Sequence, residues 1–221
     1  MQAKRGARHR ITPTARPRGR PRAFNRDAAL DRALGVFWTQ GYEGTSITDL
    51  TEALKINPPS LYAAFGSKEE LFRETLGLYA RAYGLPIERA VAEERTALEA
   101  VVRILREAAH LFPAGATPGG CFVCNGVLNS APDHRSVADF VAAAREWMVA
   151  ALEQRIAAAK AKREIPRDAD PATLARYVAA VIEGMSVQAR DGADEATLLA
   201  IAEVALAAWP SQDPSRPRSH K

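Results

Sequence analysis

TSITDLTEALKINPPSLYAAFGSKEEL, residues Thr45 to Leu71, is the stretch that decides the fold. It contains three helix starts. Ser46 followed by Asp49 has the spacing of a capping box, in which the hydroxyl takes a free backbone N–H and the carboxylate returns the contact. Asn57 before Pro58 is a second start, because proline is tolerated where the backbone donor has no helical partner. Ser67 with Glu70 repeats the capping-box spacing. Between the starts, apolar residues recur at helical intervals: Ile47, Leu50, Ala53 and Leu54, then Leu61 and Phe65, then Leu71 and Phe72. The first two helices are too short to be stable alone in water. They need each other and their neighbours, which is the condition of a helix-turn-helix unit.

In such a unit, base edges and phosphates are reached from the front of the second helix, here Pro58, Pro59, Ser60 and Tyr62. Tyr62 follows the core residue Leu61 and is expected to point outward. Thr45 and Ser46 stand at a helix N-terminus, where hydroxyl and backbone N–H groups suit a phosphate oxygen. Lys68 lies in the first turn of the third helix, a position the helix dipole disfavours for a cation. An external anion, such as a DNA phosphate, would resolve that mismatch.

The segment resembles the DNA-binding domain of the TetR family of transcriptional repressors. The resemblance is carried by Thr45, Ile47, Leu50, Leu61, Tyr62, Phe65, Lys68 and Leu71, over a span without a gap. Where the family usually has Ala-Gly ahead of the recognition helix, this chain has Leu54-Lys55. A left-handed turn residue here would therefore be a lysine, at a steric cost glycine would not incur. Between Tyr62 and Phe65, where aromatic or histidine side chains are common in the family, it has Ala63 and Ala64. The resemblance implies an all-α fold: a three-helix DNA-binding domain followed by a helical ligand-binding and dimerisation domain.

Charge supports a nucleic-acid partner. Across 221 residues the net charge is only +4, but residues 1–26 hold nine basic side chains and no acidic one. The other 195 residues carry a net charge of −5. The repeat Arg16-Pro17-Arg18-Gly19-Arg20-Pro21-Arg22 is suited to a narrow groove of high negative potential. Arg18, Arg20 and Arg22 join the candidate DNA-binding set as an arm beside the helix-turn-helix. With 47% hydrophobic residues the chain is not compositionally disordered. No apolar run approaches the roughly 18 residues of a membrane span, and no secretory signal is visible, so a cytoplasmic protein is expected. The expected division is a disordered basic arm at 1–23, the helix-turn-helix domain at 24–70, a regulatory and dimerisation domain at 71–209 and a disordered tail at 210–221.

Asn25 and Asp27 open a first helix that Gly41 should stop, with Leu30, Ala33, Leu34, Phe37 and Trp38 inward. The helix from Ser67 should break at Gly84-Leu85-Pro86. Thr96 and Glu99 cap a helix to about Phe112. After a Pro/Gly-rich loop, Cys121-Phe122-Val123-Cys124-Asn125 enters a short helix. A long helix follows to about Lys162, with Phe140, Ala144, Trp147, Ala151, Leu152 and Ile156 expected inward. Helices from Asp170-Pro171 and Asp194 have broad apolar faces. In the TetR family the last two helices form the dimer interface.

Candidate ligand-binding residues are Tyr79, Tyr83, His110, Phe112, Cys121, Asn125, Trp147, Met148 and Met185. No metal site is expected, since His134 is the one nearby partner for a single C-x-x-C, and no cofactor is implied. Cys121 and Cys124 are read as buried structural thiols. The alternatives are a redox or electrophile sensor and a disulfide oxidoreductase, which would need a preceding strand in a βαβ unit. A non-specific architectural DNA binder would leave the large second domain without a purpose. The leading expectation is a homodimeric repressor on a palindromic double-stranded operator, released by a small-molecule effector.

Overall fold

The computed structural model describes residues 24–210 except 116, 128 and 129. Arg18, Arg20 and Arg22, with most of the arm and tail, lie outside the described residues. Ten α-helices are present among those described. The head is built from α1 (Arg26–Gly44), α2 (Ile47–Leu54), α3 (Pro58–Phe65) and the start of α4 (Lys68–Ala82). Each cap lies where its residue type predicts. The Asn25 side chain accepts from the Ala28 N–H, and Ser46 and Asp49 form the reciprocal box. The Asn57 side chain accepts from the Ser60 N–H. Ser67 accepts from the Glu70 N–H at 3.0 Å, which is half of a capping box.

Gly41 does interrupt α1, with φ 73°, but the helix resumes for one more turn to Gly44. That turn buries Tyr42, which then stacks with Phe37 and meets Phe72 edge-on at 5.0 Å. The head core is Leu30, Leu34, Phe37, Leu50, Leu54, Leu61, Phe65, Leu71 and Phe72.

The body consists of α5 (Ile87–Glu93), α6 (Ala97–Leu111), α7 (Phe122–Asn125), α8 (Arg135–Ala161), α9 (Pro171–Arg190) and α10 (Glu195–Ala207). The sequence gives no sign of α5, which has no side-chain cap and starts after Pro86. The inward face of α8 is a correction. Val137, Val141, Met148, Val149, Leu152 and Ile156 are buried, whereas Phe140 and Trp147 are 38% and 49% exposed. Phe140 lies under the Arg73 guanidinium at 4.4 Å, so its ring is used at the surface rather than in the core.

Head and body are joined through α1, α4 and α7. Trp38 and Tyr79 meet edge-on at 4.9 Å, and Phe122 packs on Phe72 at 5.4 Å and on Tyr79 at 5.7 Å. The Tyr42 N–H donates to the Gly126 carbonyl at 3.0 Å. Arg190 at the end of α9 reaches the Thr39 carbonyl at 3.0 Å. Glu43 accepts from the Ala131 N–H at 3.0 Å and pairs with His134 at 2.9 Å. No described helix is long and apolar enough to cross a membrane.

Candidate functional site

The reading helix α3 follows a turn held by Lys55, whose φ and ψ of 57° and 43° place it in the left-handed region. Its N–H and that of Ile56 return to the Glu52 and Thr51 carbonyls. Leu61 and Phe65 anchor α3 from below, being fully buried or nearly so. That fixes which residues face out: Asn57, Pro58, Pro59, Ser60, Tyr62 and Ala63 are exposed, with Tyr62 at 47%. No acidic residue lies in α3. Arg26 clamps its far end, lying 4.7 Å from the Phe65 ring centroid and donating to the Ala64 carbonyl and to Glu74.

One candidate contact is corrected. Thr45 is 1% exposed and its hydroxyl donates to the Gly41 carbonyl at 2.7 Å. It locks the end of α1 rather than offering a hydroxyl to phosphate. Lys68 has a partner within the fold as well: its Nζ sits 4.2 Å from the Tyr42 ring centroid. Burial lowers its pKa, while Glu43 and Asp49 nearby oppose that shift. The unfavourable dipole position is answered from within the fold. Ser46 is exposed, but its hydroxyl is engaged with Asp49 at 2.6 Å. Those bonds hold the Asp49 carboxyl below its usual range.

In the body the ligand candidates scatter. Tyr79, Phe112, Met148 and Met185 are buried core. His110 is exposed and pairs with Glu195 at 3.1 Å, so it does not face the interior. Trp147 is half-exposed on the outside of α8, and Tyr83 lies at the surface against Trp38 at 5.6 Å. Asn125 is the candidate that lines open space. It borders a cleft of about 380 Å³ shared with Cys124, Arg145, Ala180, Glu183, Gly184 and Val187. It also borders a second cleft of about 290 Å³ with Gln40, Gly41, Val187, Arg190 and Asp191. Arg145 and Glu183 escaped the sequence because nothing local distinguishes them from solvated helix charges. Gln40 and Gly41 come from the head, so the second cleft spans both parts of the chain.

Cys121 caps α7 and is buried beside Tyr79 and Cys124. The Ser186 hydroxyl accepts from both the Cys121 N–H and the Asn125 amide, each at 2.7 Å. Gly120 with φ 66° lets the chain enter this point. A Cβ there would lie 2.6 Å from the Ser186 carbonyl oxygen. The Cys121 thiol is brought down to about 7, chiefly by the hydrogen bond from Cys124, against the effect of burial. The same bond and burial push Cys124 up, and burial together with the Cys121 charge raises Tyr79. No strand precedes the C-x-x-C among the described residues, so the context of a thioredoxin-like oxidoreductase is missing. No cluster of three or more metal-ligating side chains occurs among the described residues.

A helix-turn-helix head with an exposed, acid-free reading helix, wired to a larger helical body, defines a DNA-binding regulator. Comparison with known proteins agrees. The family described as bacterial regulatory proteins, tetR family, matches residues 29–75, and a tetracyclin repressor-like C-terminal domain matches residues 89–204. The HTH-type transcriptional repressor ComR of Escherichia coli (strain K12) is 38% identical over 194 residues, covering 87% of this chain and 92% of that protein. The repressor BdcR of the same organism is 33% identical over 187 residues, covering 85% and 90%. A cysteine-substituted form of the TetR family regulator CifR, solved with a 26-base-pair double-stranded operator DNA, superimposes with a TM-score of 0.81. It is 43% identical and covers 87% of this chain and all of that one. The chain belongs to the TetR family of bacterial transcriptional regulators.

Proposed function

We propose that the protein is a homodimeric repressor that places α3 of each protomer in successive major grooves of a palindromic operator and is released when a small molecule occupies the body. The observation that carries this is the exposed row Asn57, Pro58, Pro59, Ser60 and Tyr62 above a buried Leu61–Phe65 anchor. The operator complex of CifR supports it. Tyr62 and Ser60 supply side-chain hydroxyls at the front of the helix, with the basic arm and its Arg18, Arg20 and Arg22 adding phosphate neutralisation. The head corresponds to residues 24–70 and the body to residues 71–209. As a regulator acting on chromosomal DNA, the protein works in the cytoplasm.

Dimerisation is supported by the outer faces of α9 and α10. Tyr177, Ala180, Gly184 and Val187 on α9 and Ala200 and Val204 on α10 are exposed, Val204 at 74%. Small residues along such a strip allow close helix approach, and two copies make a four-helix interface. The effector site is the pair of clefts that meet at Asn125 and Val187; because Ala180, Gly184 and Val187 belong both to the first cleft and to the α9 strip, that cleft borders the dimer interface. A ligand there touches α8, α9 and the end of α1 together. It therefore binds differently to two arrangements of head against body, which is what shifts the population between them. Arg145 and Glu183 favour a ligand with polar groups at the mouth of an otherwise small-residue cleft.

Binding of duplex DNA by the wild type and by Tyr62→Ala tests the proposal. The variant is expected to lose about 1–3 kcal/mol of operator affinity with unchanged melting and dimerisation. Equal affinity of the two proteins for every duplex would remove α3 from the interface.

A further inference from the structure

The fold seats the Lys68 ammonium on a neutral surface. Its Nζ lies 4.2 Å from the Tyr42 ring centroid, and the residue stays partly exposed. A ring face holds a cation without cancelling its charge and leaves ammonium N–H groups open to another acceptor. The carboxylates nearby do not fill that place, because each is bound elsewhere. Asp49 accepts from the Ser46 N–H at 2.7 Å and from its hydroxyl at 2.6 Å. Glu69 is taken by Arg73 at 2.8 Å and by the Ser136 hydroxyl at 3.0 Å. Glu43 accepts from the Ala131 N–H at 3.0 Å and pairs with His134 Nδ1 through both oxygens, at 2.9 and 3.0 Å. Among the described residues Lys68 therefore forms no ion pair, although Glu43 and Asp49 are close enough to favour its charged form. Phe65 ends α3 and Lys68 opens α4, so with α3 in a major groove this cation meets the phosphates that border the groove. Tyr42 and Glu43 both hang from the body, Tyr42 by its N–H on the Gly126 carbonyl at 3.0 Å. Gly41 and Asn125, the chain neighbours of Tyr42 and Gly126, line the second cleft.

We infer that Tyr42 and Glu43 are positioning residues for DNA binding: Tyr42 presents the Lys68 ammonium to a backbone phosphate, and the body, by holding Glu43 on Ala131 and His134, keeps that ammonium free of an internal counter-ion. The inference rests on the reading of α3 as the DNA-contacting helix and gives the effector clefts a route to it. A ligand in the second cleft lies beside both ends of the Tyr42–Gly126 bond. Where it parts Gly41 from Asn125, that bond opens. Tyr42 and Glu43 move together, because they are adjacent in the chain, and Glu43 leaves Ala131 and His134. Its carboxylate then turns onto Lys68 beside the same ring. An ion pair inside the protein replaces the charge-assisted contact with phosphate. One phosphate contact is lost in each protomer. The ligand therefore favours the arrangement in which Lys68 is neutralised, and DNA favours the one in which it is not.

The test uses the full chain and a duplex selected by the wild type, with affinity read by fluorescence anisotropy over a salt series. Circular dichroism and sedimentation check folding and dimerisation of each variant. Lys68→Met should weaken binding roughly thirtyfold at about 0.15 M salt and lower the slope of log affinity against log salt by about 0.9 per protomer. His134→Ala, which loosens Glu43, should move both readings the same way, by about threefold or more in affinity. Adding Glu43→Gln to His134→Ala should restore them, and in a Lys68→Met background neither change should matter further. Tyr42→Leu should resemble Lys68→Met, whereas Tyr42→Phe keeps the ring face and should retain the contact. Where Tyr42→Leu does not fold, the His134 and Glu43 variants decide alone. A Lys68→Met protein with the wild-type salt slope overturns the phosphate contact. A loss in His134→Ala that Glu43→Gln does not restore, or that persists without Lys68, overturns the role of Glu43. Those results on a selected duplex sink this inference alone. Failure of the wild type to select any duplex would sink the reading of α3, and this inference with it.

Discussion

Replacing Lys55 by glycine should stabilise the protein, although it removes a charge and shortens a side chain. Lys55 ends α2 at φ 57° and ψ 43°, and it is exposed. The left-handed conformation costs an L-residue about 1–2 kcal/mol, because Cβ approaches the carbonyl oxygen. Glycine avoids that clash but loses more chain entropy on folding, about 0.5–1 kcal/mol. The difference leaves a net gain of about 0.5–1 kcal/mol. For a chain of this size that raises the melting midpoint by about 1–4 °C. Thermal unfolding followed by circular dichroism would measure it. Two controls isolate the cause. Lys55→Ala keeps Cβ and should gain nothing, and Lys55→Asn should fall between, since asparagine tolerates this region better. If Lys55→Gly and Lys55→Ala melt at the same temperature, backbone strain is not what the turn holds.

Ser46→Ala should cost about 0.5–2 kcal/mol by removing the cap of α2. The folded Asp49 pKa lies below its ordinary value, so this carboxylate stabilises the fold above the usual carboxylate range. That contribution disappears as pH falls through the lowered value, and urea midpoints between neutral pH and pH 3 should drop less in Ser46→Ala than in wild type. Phe122→Ala should cost about 3–5 kcal/mol, as expected for a fully buried ring, and a loss under 1 kcal/mol in urea unfolding would mean the junction is loosely packed. Val204→Glu should yield monomers in sedimentation, since it puts a charge on the proposed α10 seam. An intact dimer would place the interface elsewhere.

The head was legible because its instructions are local. Ser46, Asn57 and Ser67 each cap the helix that follows, and the apolar spacing around Leu50, Leu61 and Leu71 points to one core. The contacts that stayed illegible depend on residues distant in sequence. Lys68 reads as an unpaired cation until the extra turn after Gly41 brings Tyr42 beneath it. Thr45 reads as a free hydroxyl until that same turn places the Gly41 carbonyl over it. In α8, side-chain size pointed to Phe140 and Trp147 as inward. The fold instead buries Val137, Val141 and Met148, and Arg73 from another helix covers Phe140. The body clefts were illegible for a related reason. Arg145, Glu183 and Asn125 meet only when α7, α8 and α9 are assembled.

Selection from a random pool of duplex DNA, followed by footprinting of the winners, bears most directly on the claim that α3 reads DNA from a two-fold dimer. The enriched sequences should contain an inverted repeat. Protection should fall on two major-groove faces separated by a whole number of helical turns, about 34–36 Å each, and Tyr62→Ala should lose the enrichment. Retention of all duplexes alike, with no repeat and a dependence on salt alone, would contradict it.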